Sequence, residues 1–120
     1  GLCCEGSAST YRVVVARSKN LKGPYIDDQA RFMANNNGNG KVICWAKPSN
    51  TNIAGPGHNS ILQDDAGDYW LVYHSYCVDD NYGSRHLMLD KILWDAKGWP
   101  YIENSTPSYH EVKDGPRFFK

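Results

Sequence analysis

The chain has 120 residues, with 13 basic and 13 acidic side chains and so no formal net charge at neutral pH. That length supports one small domain with a modest core, and the intermixed charges give no electrostatic footprint for nucleic acid or for an anionic membrane surface. No stretch of about 18 apolar residues is present to span a bilayer, and Gly1 to Glu5 lack the charged and apolar regions of a secretory signal.

Strand patterns dominate. Tyr11 to Arg17 is rich in β-branched and aromatic residues and is apolar on both faces. Lys41 to Trp45 is a short apolar run behind the turn-rich stretch Asn35 to Gly40. Gly55-Pro56-Gly57 reads as a tight turn that delivers His58 at the first position of a strand ending at Gln63. Asp64 to Gly67 is a hairpin turn, Asp68 to Tyr76 the next strand, Cys77 to Ser84 a polar loop, Arg85 to Leu93 a third strand, and Trp99 to Ile102 a short fourth. Four strands in a meander are the pattern of one propeller blade. Within Asp68 to Tyr76, Tyr69, Leu71 and Tyr73 point one way and Trp70, Val72 and His74 the other. A solvated meander alternates apolar with polar, whereas stacked blades need both faces apolar.

The four cysteines, Cys3, Cys4, Cys44 and Cys77, lack the paired spacing of a zinc site. Adjacent Cα atoms lie about 3.8 Å apart, below the usual disulfide range, so a Cys3–Cys4 bond is disfavoured and buried free thiols are expected. A Cys44–Cys77 bridge stays open.

Two stretches carry a family resemblance. One runs Gly55-Pro56-Gly57-His58-Asn59-Ser60-Ile61-Leu62-Gln63-Asp64, then Asp68 to His74, Arg85-His86-Leu87, Trp94-Asp95 and Gly98-Trp99-Pro100. The other runs Cys3-Cys4-Glu5-Gly6, Ser9-Thr10-Tyr11, Val13 to Ser18 and Gly23-Pro24-Tyr25. Together, in order, they resemble the last blades of family 43 glycoside hydrolases, specifically the endo-1,5-α-L-arabinanase branch. The resemblance implies an all-β fold, part of a five-bladed β-propeller. Residues 1–57 would form a partial blade lacking its first strand, with a connecting loop; residues 58–102 the last complete blade; residues 103–120 a C-terminal tail.

The implied activity is hydrolysis of α-1,5-arabinofuranosidic bonds in pectic arabinan, with inversion, in an open groove outside the cell or in a periplasm. Its acid and base carboxylates lie upstream of the Cys-Cys-x-Gly loop in the family. The 120 residues alone are therefore expected to be inactive and to need the N-terminal remainder of the propeller. Glu5 does not match the family's acid, and Asp64, Asp65 and Asp68 read as turn residues. By resemblance, His58 lies on the propeller axis beside a calcium ion, as a lone imidazole in a shell otherwise completed by water; the alternative is a buried structural histidine. Arg85, nine positions before Trp94, has the spacing of a sugar-contacting arginine and a tryptophan in the related xylosidase branch of the family, and a guanidinium fork suits paired hydroxyls; the alternative is a solvated strand-start residue. His74 either lines the same cavity or bonds between blades. Trp45, Trp70, Trp94 and Trp99 are expected mostly in the core, with Trp94 and Trp99 structural in the closing turn. A non-catalytic carbohydrate-binding remnant of the fold, and a β-xylosidase or arabinofuranosidase of the same superfamily, are the other readings.

Overall fold

The computed structural model describes residues 1–34, 37–49 and 51–120. Asn35 and Asn36, the first residues of the expected turn before Lys41, lie outside the described residues. Among the described residues, six strands form two antiparallel sheets. In the smaller, β1 (Val13–Val15) pairs with β2 (Lys41–Cys44). The larger is a meander of β3 (Ile53–Gln63), β4 (Tyr69–Cys77), β5 (Arg85–Trp94) and β6 (Pro100–Tyr101).

The two sheets stack through β4. Leu71 and Tyr73 project from one face into a core shared with Val13, Ile43, Cys44, Ile92 and Ile102. On the opposite face Trp70 and Tyr76 are also buried. The two-faced apolar pattern therefore holds for β4. The Tyr73 hydroxyl donates to Asp90 Oδ2 at 2.5 Å, which gives this buried carboxylate a partner. Cys44 and Cys77 are buried free thiols; burial pushes the Cys44 thiol up to about 12. Contrary to expectation, Cys3 and Cys4 are joined in a disulfide.

The larger sheet begins at Ile53 and not at His58. Gly55-Pro56-Gly57 is not a turn but part of β3. Between the pairs Ala54–Tyr76 and Gly57–His74, and again between Gly57–His74 and Ser60–Val72, β3 uses one residue more than β4. These are two successive bulges. Gly55 (φ 59) and His58 (φ 53) take the left-handed conformation that absorbs the extra residues.

One five-residue turn occurs three times. Asp27, Asp64 and Asp95 each accept, on one carboxylate oxygen, the N–H groups two and four residues ahead: Gln29 and Arg31, Ala66 and Asp68, Lys97 and Trp99. In all three the residue at the fourth position has positive φ: Ala30 (60), Gly67 (86) and Gly98 (79). Asp27, almost fully buried, adds bonds from Arg31 Nε and Gly40 N, and so gathers the long connection between β1 and β2.

The segment after Ile102 is tied down. Following a short 3-10 turn at Glu103–Ser105, Ser108 N donates to Asp90 Oδ2, and Tyr109 and His110 both bond Asp79. Arg117 N then donates to Asp64 Oδ2 (3.0 Å), which also accepts Trp70 Nε1 (3.0 Å), and Phe119 N donates to Asp65.

Ala30 holds by strain the place that glycine takes in the other two turns. Left-handed conformation costs a non-glycine residue about 1–2 kcal/mol, partly offset by the unfolded-state freedom of glycine. Ala30→Gly should therefore raise stability by up to about 1 kcal/mol, and Gly67→Ala or Gly98→Ala should lower it by about 1 kcal/mol, read from denaturant midpoints. A destabilising Ala30→Gly would refute the equivalence of the turns.

Burial opposes ionisation of Asp64, but the bonds from Arg117 N, Trp70, Asp68 N and Ala66 N outweigh it and hold its pKa below the ordinary value. A carboxylate depressed in the folded state contributes stability at neutral pH that is lost as pH falls through the folded pKa. Release of the tail, followed by Trp70 fluorescence, should have its midpoint below the ordinary aspartate value of about 3.9. In Asp64→Ala, trypsin should cut after Lys113 and Arg117 faster at neutral pH. A release midpoint at or above the ordinary value would count against this anchor.

Candidate functional site

The two bulges of β3 bring distant residues together at one end of the larger sheet. Gly57 faces Tyr11 so closely that an added Cβ would lie 2.1 Å from the tyrosine ring, and a Cβ on Gly55 would lie 2.4 Å from that of Ser9. The Ser9–Tyr11 segment thus rests directly on strand backbone. From there the Tyr11 ring stacks on His74 with centroids 6.1 Å apart. His58, turned by its positive φ at the second bulge, stacks on the same imidazole at 5.9 Å. A shallow hollow beside His58 is lined by Tyr11, Val14 and Asn59.

Arg85 opens β5 opposite Tyr76, on the face of the sheet that carries His74. Its Nη1 lies 3.7 Å from Cys4 Sγ. The loop that presents Cys4 is closed by Leu2 N to Thr10 Oγ1 (2.8 Å), Thr10 N to Leu2 O (2.9 Å) and Glu5 N to Ser9 Oγ (2.9 Å). Ser9, buried against Gly55, fixes the loop to β3.

His58, His74 and Arg85, expected from the sequence, therefore share one end of the fold. His58 is exposed and His74 half-buried, and Arg85 is exposed. Burial lowers the pKa of His74, and the charges of Arg85 and His58 lower it further. Its Nδ1 is buried with no hydrogen-bond partner. Glu5 contributes its backbone to the loop. Asp64 and Asp68 are turn residues, and Asp68 also pairs with Lys91 at 3.1 Å.

The tryptophans divide evenly. Trp70 and Trp99 are buried, Trp99 beneath the Arg17 guanidinium at 4.0 Å. Trp45 and Trp94 are exposed, and Trp94, expected to be structural, meets Tyr69 edge-on at 5.8 Å. Sequence reasoning missed Tyr11 and the Cys3–Cys4 bond. Tyr11 stood within the matched Ser9-Thr10-Tyr11 motif, which was the available signal.

Calcium takes six to eight oxygen ligands. Among the described residues no three His, Cys, Asp or Glu side chains converge to hold a metal. At the histidine end the exposed imidazole is that of His58.

Comparison with known proteins places this geometry. The family model for glycosyl hydrolases family 43 matches residues 2–100. The extracellular exo-α-(1→5)-L-arabinofuranosidase ArbA of Cellvibrio japonicus is 42% identical over 110 residues, covering 91% of this chain and 30% of the relative. The extracellular endo-α-(1→5)-L-arabinanase 1 of Bacillus subtilis is 34% identical over 98 residues, covering 82% and 27%. The structure of a Cellvibrio cellulosa α-L-arabinanase complexed with arabinohexaose superposes with a TM-score of 0.73 at 40% identity, over 87% of this chain and 31% of that one. The chain thus spans about 30% of the length of the relatives it matches. Those arabinanases are five-bladed β-propellers, and the four-stranded meander with its two-stranded neighbour is part of that fold. With the family model matched from residue 2 to residue 100, the chain belongs to the family 43 glycosyl hydrolases.

Proposed function

We propose that this chain is the C-terminal part of an extracellular hydrolase of α-1,5-L-arabinan, cleaving with inversion. The observation that carries the reading is the match over most of the chain to relatives named for α-1,5-linked arabinan, at 42% and 34% identity. Inversion requires an acid and a base carboxylate about 6.5–9.5 Å apart, with a water between base and sugar. The carboxylates of Asp27, Asp64, Asp90 and Asp95 are committed to turns, core or tail. The catalytic pair comes, in this reading, from the remainder of the propeller, which also covers the exposed Leu87 and Leu89.

The residues of this chain bind and orient. Arg85 offers paired N–H donors to vicinal sugar hydroxyls. His74, whose pKa burial and the Arg85 charge lower, stands between Tyr11 and His58 and holds the histidine end in place. His58 would be the residue of this chain that holds a calcium ion. When bound, such an ion would supply fixed positive charge near the acid and base.

Endo-acting cleavage is supported by the name of the Bacillus relative; the Cellvibrio relative favours an exo mode as the second reading. The test joins this chain to its N-terminal remainder and follows linear arabinan. A rapid fall in viscosity with mixed oligosaccharide products marks endo action, and release of one small product marks exo action. The 120 residues alone should be inactive, because each missing acid or base forfeits about 10²–10⁴-fold in rate. Depolymerisation by the 120 residues alone, or none by the complete protein, would overturn the reading, the latter outcome leaving a non-catalytic sugar-binding remnant.

His74 sets a pH dependence. Its folded pKa lies below the ordinary histidine value, so the unfolded chain takes up the proton first as pH falls. Stability should decline as pH drops through about 6.5, and this part of the slope should disappear in His74→Gln. Unfolding midpoints from pH 8 to 5 for both proteins provide the check, with identical slopes as the contrary result.

A further inference from the structure

We propose that the Cys3–Cys4 disulfide is a sugar-contacting surface, the apolar half of a subsite whose polar half is Arg85. The inference rests on the reading of the chain as part of an arabinan hydrolase.

Three observations carry it. First, the bonded pair reaches the surface: Cys4 is exposed, with φ 71, and Cys3 is half-buried. A disulfide between neighbours closes a small ring through the backbone, so its two sulfurs and their methylenes form a stiff apolar tile with no hydrogen-bond donor. Second, the tile is held from behind. The Leu2–Thr10 and Glu5–Ser9 bonds close the loop, and Ser9 is seated on Gly55 of β3. Little ordering is left for a ligand to impose, which favours binding. Third, the Arg85 guanidinium stands 3.7 Å from Cys4 Sγ. A ligand resting on polarisable sulfur with its rim against five fixed N–H donors needs an apolar C–H face and hydroxyls along its edge. A furanose ring has both. A purely apolar ligand would leave the guanidinium desolvated and unpaired, and an anion would leave the sulfur tile unused.

The contact also fits the residues around it. Gly55 and Gly57 bring the loop and the Tyr11–His74–His58 rings to the same end of the sheet, so a chain of sugars crossing the histidines would pass the disulfide.

The test uses the complete protein with arabinohexaose and linear arabinan. Alkylation of the denatured, unreduced protein should label Cys44 and Cys77 but not Cys3 and Cys4; labelling of all four would refute the proposal at once. Reduction of the folded protein with a phosphine, with the buried Cys44 and Cys77 unaffected, should raise KM for arabinohexaose by about fivefold, the scale of one lost apolar contact. kcat and the unfolding midpoint should stay nearly unchanged, and reoxidation should restore KM. Cys3→Ser/Cys4→Ser should reproduce the reduced state. A merely structural staple would instead lower kcat and the unfolding midpoint together, and that result, or an unchanged KM, overturns the proposal. If the untreated protein neither cleaves nor binds arabinan, the underlying function fails and this subsite with it. Normal wild-type activity with an unmoved KM after reduction removes the subsite alone.

Discussion

Ser9 and Tyr11 occupy space that two glycines of β3 leave empty, and the rest of the candidate site depends on that close approach. Glycine is weak in a strand interior because it packs nothing and loses more freedom on folding. Here the loss is offset by letting a second segment lie on the backbone itself. With side chains at 55 and 57 the approach distances of 2.4 and 2.1 Å become collisions. Tyr11 would leave His74, and the loop bearing Cys4 would lift away from Arg85. The bulges serve the same end, since the extra residues in β3 turn His58 toward the ring it stacks on.

A second regularity is the use of aspartate carboxylates, buried at Asp27 and Asp64 and exposed at Asp95, as acceptors for backbone N–H groups. The three aspartate turns satisfy the same two amides each. Two of these aspartates hold more besides: Asp27 gathers Gly40 across thirteen residues, and Asp64 gathers Arg117 across fifty-three. A carboxylate accepting several N–H bonds stays ionised even when burial opposes it. Charge of this kind is structural.

Much of this was legible beforehand. Apolar and aromatic runs bounded by Asp/Gly turns marked β4, β5 and the hairpins to within a residue or two, because strand preference and turn chemistry are local. His58, His74 and Arg85 were legible through a family pattern and not through any local rule. The start of β3 was not, because Gly55-Pro56-Gly57 has the composition of a turn and becomes strand only when Ser9 and Tyr11 press on it. The Cys3–Cys4 bond was misjudged for a related reason: the short Cα separation argued against it, while the closed loop and positive φ that permit it are properties of the fold. The anchoring of the tail was hidden as well, since its partners are aspartates far away in sequence that already looked explained as turn residues.

The tail has a consequence for solution behaviour. β6 pairs with β5 only at Leu93 and Trp94, so the outer edge of β5 from Arg85 to Ile92 has no strand beside it. Such an edge offers a row of amides and carbonyls to any passing chain. The segment from Ser108 to Gly115 lies along a groove with Leu89, Asp90 and Lys91 and then crosses toward Trp70. It shields the rim of the blade without adding a strand to it. Because carboxylates fasten it, acid would strip that shield while leaving the sheet hydrogen bonds in place, turning a well-behaved blade into a template for intermolecular strand addition.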